Sequence, residues 1–388
     1  MPTKAIQAKF ATVRKLLCAH MIERDNVIDL ILIALLARKH ALLLGSPGTA
    51  KSLLIDIVAK DWLDVPLFDY IMTKFTEPSE LFGPTDLVAM TQGTETRFRR
   101  VIHDMLPTAP LVFLDETFKG NSAILNCLLK VMNERRFRNG SDGWLGVPLR
   151  NLFGAANEFP NEQSGGEDLG AFVDRFTLRI VVENVRSVSG IRRLIRERRK
   201  RPTFTDKLTL AELDQAVEEV IQLPFAEETY RRHEKCIHTL LAAGIEPGGR
   251  RIDESVTAVQ ACAYLNGCDR VEPEHLEVLA HVLWVAPEQA QQTKKIVAEI
   301  SFPERLKLNE LRDAAEAVIK QSVTASAADR VTVIAKLEEV VKEVKALEGD
   351  ATIRKKAKAF RLYVQEQLYE IQMLALHGKP PKEEDEED

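Results

Sequence analysis

The chain has 388 residues, 45% hydrophobic and 29% charged, with 53 Lys and Arg against 58 Asp and Glu for a net charge of −5. Those values allow two or three packed domains, exclude a wholly disordered chain, and give no overall pull toward nucleic acid or an anionic membrane. No apolar run approaches the ~20 residues that span a bilayer, Met1–Lys4 carries no signal-peptide stretch, and Cys18, Cys127, Cys236, Cys262 and Cys268 form no CxxC pair, so a reduced, cytoplasmic protein without an integral membrane segment is expected.

In chain order, Asn26–Ala37 reads as a helix with Val27, Ile28, Ile31, Leu32 and Leu35 on one broad face. Short apolar runs then follow at Ala41–Leu44, Leu67–Ile71, Leu111–Leu114, Asn151–Ala156 and Thr177–Val182. Helical segments separate them at Lys51–Trp62, Asn121–Glu134 and Asp168–Phe172. Strands of this length alternating with helices predict an α/β fold, a mostly parallel, doubly wound sheet covered on both faces. From about Arg186 the strand signal stops. Helical periodicity runs through Ser187–Arg199, Leu210–Gln222, Glu227–Leu241, Asp253–Leu265 and Glu274–Val285, an all-helical domain punctuated by Pro224, Gly244–Gly249 and Pro273. Further on, Val333, Leu337, Val340, Val344 and Leu347 form an apolar seam, and Phe360, Val364, Leu368 and Ile371 mark a returning helix. The expected organisation is an α/β core with an N-terminal helix at residues 1–185, an all-helical domain at 186–300, a helical hairpin at 301–378 and an acidic disordered tail at 379–388.

The sharpest motif is Gly45-Ser46-Pro47-Gly48-Thr49-Ala50-Lys51-Ser52, between a strand and a helix. A phosphate chain needs closely approaching backbone N–H groups and a helix N-terminus, which this loop supplies. Lys51 would neutralise the β- and γ-phosphates, and the Ser52 hydroxyl would ligate Mg²⁺. Ala50 stands where such loops carry a second Gly; a methyl group is expected to fit there if φ stays negative. Asp115 and Glu116 end the strand Leu111–Leu114. Asp115 suits the metal's water shell, and Glu116 suits a general base that polarises an attacking water; two acids after a strand are also ordinary turn residues. Asn157, at the end of Asn151–Ala156, could orient that water or cap a turn before Pro160. Arg175 has the ionised, bidentate group of a charge-stabilising finger, although it could simply pair with Asp174. Arg250 and Arg251 open a lid helix and could reach nucleotide phosphates, although arginine doublets are common on helix faces.

With GSPGTAKS, LVFLDE, AILNCLLKVMNERRFRNG, GAANEFP and DRFTLRI, the sequence resembles AAA+ ATPases of the MoxR group; YIMTKFTEPSELFGP and NERRFRNG are most similar to the RavA branch. The likeness spans about Ile22 to Pro287. It implies an αβα AAA+ core with a helical lid in a hexameric ring, ATP and Mg²⁺ between subunits, and chaperone-like remodelling. The partner implied is a von Willebrand factor A domain protein. No Asp-x-Ser-x-Ser run occurs here, so that partner would be a separate chain. The same likeness makes Asn157 sensor 1, has Arg175 act on the neighbour's nucleotide, and makes Arg250 or Arg251 sensor 2; Gly248-Gly249 in place of the usual Ser-Asp leaves that choice open. It also implies an insert at about Pro78–Met105 and a hairpin at about Phe137–Leu149, both facing partners or a pore. The RavA branch carries a small β-rich insertion that has no counterpart between Glu304 and Gly378. A competing reading is a nucleic-acid motor or loader, based on Arg192, Arg193, Arg196, Arg198, Arg199, Lys200 and Arg201; no aromatic residue interleaves with that run to stack on bases. A nucleotide-gated scaffold without turnover is a third, which Glu116 and Arg175 argue against.

Overall fold

Five short apolar runs become the strands of one parallel sheet: β1 (His40–Leu44), β2 (Leu67–Ile71), β3 (Leu111–Asp115), β6 (Asn151–Ala156) and β7 (Phe176–Val181). Their order is β2-β3-β6-β1-β7. Every residue of β1 and β6 is buried, as central strands covered on both faces require. The register places Leu44 beside Ala156 and Val181, and Ile71 beside Asp115, so the strands finish at a common edge. A computed structural model describes residues 4–91, 98–160, 169–197, 201–322, 327–347 and 354–377. The expected acidic tail at 379–388 lies outside the described residues, as do Arg198, Arg199 and Lys200.

Two helices precede the sheet. Lys4–His20, which the apolar runs considered above do not include, buries Ile6, Phe10, Val13 and Leu17 along one stripe, and Phe10 stands edge-on to Trp62 at 5.1 Å. Asp25–Ala37 has more than the one apolar face expected of it: ten of its residues are buried. Its second face is taken by the helices Leu210–Ile221 and Gly249–Leu265, so the lid packs directly on the core. The helix after the Gly-rich loop is α-helical over Lys51–Asp56 and π-helical over Ile57–Trp62, ending with Trp62 buried against the N-terminal helix. A two-stranded antiparallel hairpin, β4 (Arg136–Arg138) with β5 (Trp144–Gly146), projects ahead of β6.

The lid comprises Val188–Arg196, Leu210–Ile221, Glu227–Ala242, Gly249–Leu265 and a 3-10 segment, Pro273–His281. Sheet and lid belong to one compact unit, Met1–Val297; Ala298–Asp388 forms another. In the second unit the expected hairpin is present as Ala327–Leu347 and Arg354–His377, and a third helix, Pro303–Ser322, completes it. Leu308 and Ala315 from that third helix join Val333, Leu337, Val340, Val344, Phe360 and Val364 in one apolar core. A lone hairpin would leave half of each seam in water, which explains the third element. No helix among the described residues is long and apolar enough to cross a membrane.

Candidate functional site

Gly45 leaves β1 with its N–H on the Ala156 carbonyl at 3.1 Å. A Cβ at Gly45 would run into the Val182 carbonyl oxygen, so only glycine lets the chain turn there. Thr49 Oγ1 donates to the Ser46 carbonyl at 2.9 Å and closes the loop on itself. Ala50 caps the following helix at φ +65° and ψ +29°. The expectation of a negative φ is thereby overturned: the backbone keeps the left-handed turn that glycine usually supplies and accepts a strained alanine, at about 1–2 kcal/mol. Lys51 is 8% exposed and donates to the carbonyls of Gly45 and Ser46 at 2.5 and 3.0 Å. Burial pulls its pKa below the usual value, while Asp115 and Glu116 favour its charged form.

Asp115 and Glu116 arrive from two strands away. The Asp115 carboxylate accepts the Glu116 N–H at 2.9 Å. Glu116 itself is left-handed at φ +50°, and its carboxylate accepts Asn157 Nδ2 at 2.6 Å and pairs with Lys119 at 3.4 Å. Thr117 aligns the two strand ends: its hydroxyl donates to the Leu114 carbonyl at 2.6 Å and accepts the Ala155 N–H at 3.0 Å. Gly154 is required beside it, since a Cβ would press on the Phe176 ring and on Thr117 Oγ1. A cavity of about 620 Å³ opens here, lined by Lys74, Glu116, Lys119, Asn157 and Phe159 among others. The loop, both acids and Asn157 therefore meet at the carboxyl ends of β1, β3 and β6, the edge where open α/β sheets bind ligands. Ser52 and Asp115 offer an oxygen-only donor set, which fits Mg²⁺.

A second cavity, about 580 Å³, flanks Gly48–Ala50 and has no counterpart among the sequence motifs. Met21, Ile22, Leu53, Ile57, Val185 and Leu194 give it apolar walls, a shape and polarity suited to a planar base. Its parts come from distant stretches drawn together by polar contacts. Arg24 Nε donates to the Thr49 carbonyl at 3.2 Å, and Glu23 accepts the N–H groups of Arg186 and Ser187 at 2.9 and 3.1 Å. Glu23, on the lid side, and Arg24, on the loop side, thus tie the start of the lid to the phosphate loop.

Arg175, Arg250 and Arg251 lie at the other end of the sheet. β1 and β7 run parallel with His40 beside Phe176, so Arg175 sits at the start of β1, roughly 15 Å of strand from the loop that leaves its end. Arg175 makes a 3.4 Å contact with Asp174, and its Nε is buried without a partner among the described residues. Burial foremost, then Arg250, lowers its pKa. Arg250 donates to Asn133 at 3.2 Å and pairs with Glu254 at 3.2 Å. Arg251 is 3% exposed and is held by Asp174 at 3.0 Å and by the carbonyls of Phe176, Thr177 and Val282. Arg251 is thus an internal tie between lid and β7, and Arg250 faces the opposite edge of its own sheet from the loop of its own chain.

The comparisons with known proteins agree with this architecture. A family model described as the MoxR domain in the MoxR-vWA-beta-propeller ternary systems matches residues 8–222, and an AAA lid domain model matches 235–297. Two uncharacterized proteins of Methanocaldococcus jannaschii are 36% and 37% identical over 291 and 298 residues, covering 74% and 76% of this chain and 75% of each relative. A structural protein of Acidianus two-tailed virus is 24% identical over 68% of this chain and 47% of its own. A crystal structure of a presumed ATPase from Cytophaga hutchinsonii superposes with a TM-score of 0.60 at 18% identity, covering 76% of this chain and 94% of that one; at that identity it supports the fold alone.

Proposed function

The chain belongs to the MoxR-type AAA+ ATPases, and from that premise we propose that it hydrolyses ATP at the interfaces of a hexameric ring and uses the energy to remodel protein complexes. The observation that carries this reading is the division of the site. Loop, acids and Asn157 share one edge of the sheet, while Arg175 and Arg250 stand at the other, about a strand's length away. A cation at that distance cannot serve its own subunit's phosphates, but it can serve those of a copy docked head-to-tail. Arg251 is left to its structural tie.

In this reading the Gly45–Ser52 loop and Lys51 cradle the phosphates, and the base enters the cavity walled by Ile22 and Ile57. Ser52 and, through water, Asp115 would hold Mg²⁺, which would supply charge neutralisation at the phosphate oxygens. Asn157 and Lys119 fix the Glu116 carboxylate. Glu116 takes a proton from water as its oxygen bonds to the γ-phosphorus and the bond to the β-phosphate oxygen breaks, giving ADP and phosphate. The neighbour's Arg175 and Arg250 neutralise charge building on the transferred group.

The family model's name supports a separate von Willebrand factor A domain protein as partner, alongside a β-propeller protein. Placement in the RavA branch rests on the motif wording alone. The nucleic-acid reading is weaker, because Arg201 engages Asp56 and Asp61 and Arg193 engages Glu197 within the chain.

Mixing inactive subunits tests the divided site. Arg175→Ala should bind ATP and hydrolyse it poorly; Lys51→Ala should not bind it, since the main positive charge on the β/γ-phosphates is gone. Mixed assemblies should regain activity, because an Arg175→Ala subunit can hold ATP against the arginine of a Lys51→Ala neighbour. No regain at any ratio, in assemblies shown to exchange subunits, would remove the shared site.

A further inference from the structure

Two arginines hold backbone positions that arginine disfavours. Arg135 ends the helix Ser122–Glu134 at φ +53° and ψ +41°, and Arg38 ends Asp25–Ala37 at φ +52° and ψ +39°. These left-handed C-caps are ordinarily glycine or asparagine; a side chain there costs about 1–2 kcal/mol. A cation at a helix C-terminus recovers only about 0.3–1 kcal/mol from the dipole. The strain is therefore not offset by the helix end alone, and strain of this kind clusters where a side chain has a task.

Arg135 is also short of acceptors. Its Nη2 donates to the Arg150 carbonyl at a long 3.3 Å, and its Nη1 lies 3.0 Å from Nε2 of His40. His40 Nδ1 accepts the Leu152 N–H at 2.8 Å, so in the neutral ring Nε2 carries the hydrogen, facing the Met132 carbonyl at 3.3 Å. That ring has no lone pair for Arg135; among the described residues no carboxylate stands within ion-pair distance of it, and Glu254 favours its charge only from farther away. Burial, Arg38 and Arg250 push its pKa down to about 10, which leaves it charged at neutral pH.

The surroundings are cationic as well. Lys39 and Arg250 share Glu254 at 3.3 and 3.2 Å, while Arg175 and Arg251 share Asp174 at 3.4 and 3.0 Å. Arg250 reaches Asn133, two residues before Arg135, and His40 pairs in the sheet with Phe176, which follows Arg175. Among the described residues, Arg38, Lys39, Arg135, Arg175, Arg250 and Arg251 thus gather around two carboxylates. Such an excess calls for a polyanion from outside the subunit.

We propose that Arg135 is a further catalytic cation of this edge, reaching the polyphosphate held by the neighbouring copy together with Arg175 and Arg250. The proposal rests on the divided-site reading above. Arg135 contributes where charge builds in hydrolysis, so it acts on kcat more than on KM.

Glycine is the residue this backbone prefers, and that makes Arg135→Gly the sharp test. Its thermal midpoint should be unchanged or raised, while kcat falls about ten-fold or more with KM for ATP within about three-fold, the scale of a charge-assisted hydrogen bond. Mixing it with Lys51→Ala should restore activity, as the second variant lends an intact Arg135. If Arg135→Gly lowers the midpoint, Arg135→Lys and Arg135→Gln decide, because both keep the same backbone cost: several-fold higher kcat for the lysine supports the proposal, and equal rates overturn it. A kcat for Arg135→Gly within two-fold of the unsubstituted protein overturns it too. If Arg175→Ala is still rescued by mixing in that case, the divided site stands and Arg135 merely caps a helix. If Arg175→Ala is not rescued, the divided site and this proposal fall together.

Discussion

Where β1, β3 and β6 end, charged groups answer one another inside the chain. Lys51 sits on loop carbonyls near Asp115 and Glu116, and Glu116 is gripped by Asn157 and Lys119. Where β1 and β7 begin, cations crowd around Glu254 and Asp174, and Arg175 keeps a buried Nε without an acceptor among the described residues. Both edges are built from the same sheet, yet one is electrostatically closed and the other is unfinished. On the proposed reading, the contrast means that this fold separates holding a phosphate chain from stabilising its cleavage and gives the second task to a surface that meets another copy.

The largest effect expected from breaking the closed edge comes at Glu116. Glu116→Gln keeps the hydrogen-bonding shape but cannot take a proton, so kcat should fall about 10²–10⁴-fold with nucleotide binding retained. Asn157→Ala removes the 2.6 Å donor that fixes Glu116, and a loss of about ten-fold is expected, since the carboxylate and Lys119 remain. Single-turnover hydrolysis with a parallel binding titration separates the two. A near-normal kcat for Glu116→Gln would move the base elsewhere and dissolve the contrast.

The open edge is probed with acid. His40 is fully buried, and desolvation first, then Arg135, pushes its pKa from 6.5 to about 3. Between those values the unfolded chain binds a proton that the folded chain refuses. Stability from this group is therefore complete above pH 6.5 and is lost as pH drops toward 3. A shift of this size corresponds to an upper bound of a few kcal/mol, and His233 and His281, each lowered to about 4, add to the same slope. Denaturant unfolding between pH 7.5 and 4 should show the loss, and His40→Gln should flatten the curve. An unchanged slope in that variant would mean the edge tolerates one more positive charge and is less crowded than its geometry indicates.

How much of this was legible in sequence follows from which interactions are local. The strands were readable because four to six apolar residues between turns have few other solutions, and the positions of the Gly45–Ser52 loop, Asp115, Glu116 and Asn157 in the fold were readable because each ends a strand or follows directly on one. The helix Lys4–His20 carries an apolar stripe at Ile6, Phe10, Val13 and Leu17 that periodicity could have claimed. Other features had no local signal. The base-sized cavity joins residues 20–24, the loop helix and the start of the lid. The all-round burial of Asp25–Ala37 depends on lid helices more than 170 residues later. Arg250 and Arg251 are adjacent in sequence, and only the turn of the helix separates a buried tie from an edge cation. Backbone conformation was the least legible feature, since alanine at position 50 and arginine at 38 and 135 each argue for a φ the chain does not adopt.

That last mismatch supplies the smallest effect and a calibration for the others. Ala50 stands at φ +65°, where the methyl group costs about 1–2 kcal/mol. Replacing it with glycine relieves that cost but gives the unfolded chain more freedom, worth about 0.4–1 kcal/mol in the other direction. Ala50→Gly should therefore stabilise the fold by roughly 0.5–1 kcal/mol, visible as a shift of a degree or more in thermal midpoint. Gly48→Ala should do the reverse: its φ is +79° and nothing lies within 4 Å of the place a methyl group would take, so backbone strain alone is at work. A destabilised Ala50→Gly would show that the methyl packs against the base cavity it lines. Ala50 and Arg135 share one backbone problem and differ in side chain. The gain at Ala50 is thus the gain expected at Arg135→Gly from the backbone alone, and any shortfall there measures what the Arg135 guanidinium contributes to folding, separately from what it contributes to hydrolysis.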